Sequence, residues 1–161
     1  YGLFIFDTLK PSVESNERAW AEFSEVAKEL FMLAKKEDVA IVATAQLSAE
    51  SMSRKFLDLS CIGKSKAIAE TATQVVMFRS LTREEKEGGI SAYQFQKGSD
   101  GKYMKERKEI ALDPDKDYVV LFTPKNRFGD VNPQIIYERN MSFNTMNEVG
   151  FTEISFDGFG R

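Results

Sequence analysis

The sequence contains no histidine. That excludes imidazole general bases, His-based triads and His-ligated zinc. It has one cysteine, Cys61, so internal disulfides and Cys-cluster metal sites are excluded and a reducing compartment fits. Prolines number four, and no apolar run approaches the ~20 residues that a membrane span requires. No basic segment followed by an apolar stretch marks a signal peptide. Positive charge is also short: 22 Lys+Arg stand against 25 Asp+Glu, a net −3. Nucleic acid could not be held by bulk charge, only by a local basic patch. What is present is 161 residues, 42% hydrophobic and 12% aromatic, enough for one ordinary domain with a core. The first residue is Tyr1, not Met, and it already lies in a strand-like run.

That run, YGLFIF, ends at Asp7 and is too short and too aromatic for a helix. From Glu14 to Glu37, Trp20, Phe23, Ala27, Leu30, Phe31 and Ala34 recur at helical steps of three and four. VAIVATA (39–45) predicts a second buried strand, closed by Gln46. Lys64 to Thr73 predicts a short helix, and QVVMF (74–78) a third strand. Residues 80–117 are charged and punctuated by glycine, as in a solvated insertion or hairpin. YVVLFT (118–123) and Gln134–Glu138 predict two more strands, and residues 141–161 form a weakly patterned tail. Strand and helix alternating with continuous apolar runs predicts an α/β fold, a mostly parallel sheet flanked by helices with antiparallel edge strands.

In such a sheet, chemistry gathers where the strands end. Asp7 closes one strand, and a carboxylate there suits magnesium, directly or through water. Asp also ends many strands simply because it caps turns. Gln46 closes the next strand, and its amide could sense a phosphate without adding charge. Lys125 and Arg127 project to one side if the backbone is extended, so they could clamp a polyphosphate or lie in a solvated turn. Arg54, Lys55, Lys64 and Lys66 make one loop locally basic. Gly63-Lys64-Ser65 is not a phosphate loop, because Asp58 stands where the first glycine belongs. Asp113-Pro-Asp-Lys-Asp117 is not a calcium loop, because Tyr118 and Pro124 replace the required Gly and Glu. The first segment better fits a helix N-terminus whose amides and Lys64 meet a phosphate, the second a solvated turn, and Cys61 a small packing residue.

The ordered set (an apolar strand ending in Asp7, AQLS with Gln46, AIAETATQVV, then KNRFG) resembles the C-terminal RecA-like motor of DnaB-type replicative helicases over about residues 1–140. The resemblance implies a partial RecA-like P-loop NTPase core from an ATP-driven hexamer that unwinds DNA. Asp7 would match the aspartate that holds the magnesium of ATP. Gln46 would match the glutamine that couples nucleotide state to DNA. Lys125 and Arg127 would match the basic pair reaching a neighbouring subunit's γ-phosphate, with Arg127 as arginine finger. Residues 54–66, with Arg54, Lys55, Lys64 and Lys66, would match the loop that tracks single-stranded DNA. Primase or a helicase loader would be partners, no membrane would be involved, and the setting would be the cytoplasm of a bacterial or phage-infected cell. In this family the phosphate loop and catalytic glutamate precede the Asp7 strand, so the chain alone is expected to be inactive. A RecA-like recombination or regulatory ATPase, or a non-catalytic RecA-like assembly module, are the alternatives. Segment 80–117 is longer than the family's usual connection.

Overall fold

The computed structural model describes residues 2–9, 17–47, 51, 53–62, 66–97, 103–131 and 133–155. The chain divides into two compact units, Tyr1–Val75 with Lys125–Arg127, and Val76–Pro124 with Phe128–Arg161.

In the first unit, β1 (Gly2–Phe6) pairs in parallel with β2 (Val39–Ala43), register Gly2↔Val39 to Phe6↔Ala43. Between them runs α1 (Glu17–Glu37). Its Val26, Ala27, Leu30, Phe31 and Ala34 are half-buried, following the apolar stripe, and α1 packs on β2. Lys35 and Lys36 lie in the last turn, where cations suit the helix dipole, and Lys35 sits 4.6 Å above the Phe31 ring. Asp38, at φ 51°, ends the helix in the left-handed conformation that Asp tolerates. α2 (Lys66–Thr71) follows a tight turn at Leu59–Ile62 and packs on both that turn and α1. Leu57, Cys61 and Ala69 are buried here, as expected for Cys61.

The second unit holds most of a six-stranded sheet in the order β3-β6-β7-β8-β4-β5. Its strands are β3 (Gln74–Ser80), β4 (Ala92–Lys97), β5 (Tyr103–Ile110), β6 (Tyr118–Asn126), β7 (Gln134–Asn140) and β8 (Thr145–Thr152). The β4–β5, β4–β8, β6–β7 and β7–β8 pairs are all antiparallel. Hydrogen bonds from Leu81 N to the Tyr118 carbonyl and from Arg127 N to the Thr73 carbonyl join opposite ends of β3 and β6, so these also run antiparallel. This corrects the expected mostly parallel sheet: among the described residues, parallel pairing is confined to β1 and β2. The error has a physical source. A continuous apolar run reports burial on both faces, not strand direction. Val119 and Val120 point to opposite faces of β6 and both are buried.

Two further differences emerge, at β1 and in the tail. β1 was expected to be buried, yet all five of its residues are exposed. The charged segment 80–117 does contain a hairpin, β4–β5, with Asp113 Oδ1 accepting the Asp115 amide in the turn that follows. The weakly patterned tail contains β8, an interior strand of the sheet. At Gly150 of β8 a Cβ would lie 2.2 Å from the Tyr93 carbonyl oxygen, so only glycine fits that close approach.

A buried acid organises the exit from β3. The Glu85 side chain accepts two hydrogen bonds from the Arg79 guanidinium (2.8 and 2.7 Å) and one from the Thr82 amide (2.9 Å). The Glu85 amide donates back to the Thr82 hydroxyl (3.2 Å), completing a capping box. Burial pushes the carboxyl up, but the Arg79 hydrogen bond, the Thr82 amide and the Arg79 charge together hold it below its ordinary value.

Candidate functional site

The carboxyl ends of β1 and β2 lie side by side, because the parallel register sets Phe6 opposite Ala43. Asp7 emerges next to Thr44. The Thr44 hydroxyl donates to Asp7 Oδ1 at 2.6 Å, and the Thr8 hydroxyl donates to the same oxygen at 2.9 Å. The Thr44 amide donates to the Phe6 carbonyl at 3.0 Å, which ties the two strand ends together. Two hydroxyls therefore fix the orientation of an exposed carboxylate. Gln46 is exposed two residues beyond Thr44. Thr44 went unnoticed in the sequence. Its signal was a hydroxyl residue at the end of a strand expected to neighbour the Asp7 strand.

One carboxylate with hydroxyl neighbours is a hard-oxygen set that suits magnesium, which binds through one or two carboxylates plus substrate phosphates. Among the described residues no group of three or more Asp, Glu or Cys could hold a metal by itself. Asp7 could serve such an ion only together with oxygens supplied by a ligand.

Lys125 and Arg127 end β6 within the same unit. Lys125 lies in β6 and Arg127 in the turn just after it, and both side chains reach the Glu70 carbonyl. Lys125 Nζ donates to the carbonyls of Ala69 (2.5 Å) and Glu70 (2.8 Å). The Arg127 guanidinium donates to the Glu70 carbonyl at 3.1 Å. Burial of the ammonium and the adjacent Arg127 charge lower the Lys125 pKa, while Glu70 opposes the shift. The two cations thus converge on the last turn of α2, backbone acceptors that no side-chain motif announces.

The basic loop is less outward than its composition suggests. Arg54 donates to the Ser60 hydroxyl at 2.7 Å and lies 3.9 Å from the Asp58 carboxylate. Asp58 Oδ1 accepts the Ser60 amide at 2.9 Å and the Ser60 hydroxyl. Arg54 therefore braces its own loop, whereas Lys55 is exposed. Lys64 lies outside the described residues. For Lys66 only the backbone, at the start of α2, is described. The structure thus groups Asp7 with Thr8 and Thr44, and Lys125 and Arg127 with the end of α2.

No protein-family model matches the chain, and no curated protein does. A solved structure does: a DnaB-like replicative helicase, described with its interactions with primase, aligns over 89% of this chain at a TM-score of 0.58 and 16% identity. This chain spans 29% of that chain's length. At that identity the likeness is one of fold, which is thus shared with part of a DnaB-like helicase. Among the described residues no helix is long and apolar enough to cross a membrane.

Proposed function

We propose that this chain is the part of a RecA-like, ATP-driven DNA helicase motor that follows its phosphate loop, working within a homohexamer. The observation that carries this reading is the convergence of Lys125 and Arg127 at one point beyond β6. Two adjacent cations form a clamp for a polyphosphate, and a guanidinium can spread over the equatorial oxygens of a transferring phosphoryl group. The fold shared with a DnaB-like helicase supports assigning that clamp to ATP bound by a neighbouring subunit. Asp7, oriented by Thr44 and Thr8, would hold magnesium together with the phosphates of ATP, the ion supplying charge neutralisation there. Gln46, at the end of the adjoining strand, would report the nucleotide's state.

Single-stranded DNA would be tracked through its backbone by the loop from Arg54 to Lys66, with Lys55, Lys64 and Lys66 as cations and Arg54 as the brace. Such binding would be tolerant of sequence and sensitive to salt. Primase is a proposed partner, since the structural neighbour interacts with one.

The test is Arg127→Ala in the complete protein that carries this chain. The variant should assemble as the wild type does and lose DNA-stimulated ATP hydrolysis. Wild-type turnover would overturn the finger assignment.

A further inference from the structure

The cations that the proposed function directs to a phosphate are here engaged by α2. The amide of Ala72 donates to the Ile68 carbonyl, so the carbonyls of Ala69 and Glu70 fall among the last ones, which lack amide partners within the helix. Lys125 takes both of these, Arg127 shares that of Glu70, and the Arg127 amide takes the Thr73 carbonyl at 3.2 Å. Cations at a helix C-terminus are favoured by its dipole. A helix of six residues closes too few hydrogen bonds to persist by propensity, so its order depends on outside partners. α2 in turn packs on the Leu59–Ile62 turn, which contains the Ser60 that Arg54 grips. The clamp, α2 and the basic loop are therefore contiguous within one compact unit.

We propose that the α2 C-terminus and a polyphosphate compete for Lys125 and Arg127, so that anion capture uncaps α2 and loosens the Arg54–Ile62 loop; this rests on the phosphate reading above. A phosphate oxygen that takes the Lys125 and Arg127 donors now facing the Ala69 and Glu70 carbonyls would displace those acceptors, so the side chains turn from one acceptor set to the other. The coupling is reciprocal: whatever orders the loop and α2 weakens anion capture by the same factor.

The experiment is amide hydrogen exchange of this chain with and without tripolyphosphate, at constant ionic strength. Calorimetry would follow binding in parallel, on wild type and K125M/R127M. Tripolyphosphate should speed exchange at Glu70 to Ala72 by roughly 5–150-fold, the usual range of coupling between sites. K125M/R127M should exchange fast without ligand and not respond to it. If tripolyphosphate binds through the pair while α2 exchange stays unchanged, the competition is overturned and the phosphate reading stands. If tripolyphosphate does not bind at all, both are overturned. If the double variant does not fold, the wild-type response alone decides in the same way.

Discussion

β1 and β6 are nearly matched in sequence and opposite in fate. Among the described residues GLFIF pairs in parallel with a single neighbour, and its Leu3 and Ile5 are 59% and 67% exposed. YVVLF lies between two antiparallel neighbours, and its Val120 and Phe122 are fully buried. The difference teaches that an apolar run specifies a demand for cover on both faces, and that the neighbours decide whether this chain meets it. β6 is flanked by β7, which follows it directly in the chain, and by β3, which lies beyond β4 and β5 in sequence. β1 is a parallel strand, a type found almost only in sheets covered on both faces, in a two-strand sheet that leaves it open.

That contrast can be broken most directly by truncating one aromatic in each strand. Phe122→Ala removes a fully buried ring and should cost about 3–5 kcal/mol in denaturant unfolding. Phe4→Ala, at a ring already 52% exposed, should cost less than about 1 kcal/mol. Equal losses would mean that β1 is covered in solution.

The next effect sharpens what supports the buried sheet. Glu85 and Arg79, with side chains 3% and 12% exposed, form an ion pair whose rupture leaves a buried charge. Arg79→Ala should cost about 3 kcal/mol. Because the Glu85 pKa is lowered on folding, its contribution is fully present above the unfolded carboxyl value of 4.5 and is lost as pH falls through the folded value. Unfolding midpoints measured downward from pH 6 should show that acid loss in wild type and a smaller one in Glu85→Gln. The smallest effect belongs to the exposed Arg83–Glu87 pair at 2.7 Å. Arg83→Ala should change stability by less than about 0.5 kcal/mol in the same assay.

Much of the element order was legible, because α1, β1, β2, β3, β6 and β7 each carry a period or a continuous apolar run. Direction was not, since Val119 and Val120 read alike in either kind of sheet. β8 hid because Asn147 and Gly150 dilute its pattern, and an apolar Met141-Ser-Phe143 turn blurs its boundary with β7. The Thr82-x-x-Glu85 spacing was visible in sequence, but it lies in a run of charges where a solvated reading is the ordinary one. For the candidate site, Asp7, Gln46, Lys125 and Arg127 could be picked out as strand-end residues. Their partners could not: Thr44 reaches Asp7 across 37 positions, and the carbonyls that hold Lys125 lie 55 and 56 positions away. Backbone acceptors carry no residue identity to read. For Arg54 the cation was legible, but its partners Asp58 and Ser60 within its own loop were not.

Gly150 also bears on ancestry. Its α-hydrogen faces the Tyr93 carbonyl at a separation that no other residue could occupy without moving a strand. Side chains across this sheet can drift together, each change absorbed by a neighbour. A backbone-to-backbone approach has no such partner to compensate. In diverged copies of this chain, a glycine opposite the β4 carbonyl should therefore outlast most of the aromatic residues around it.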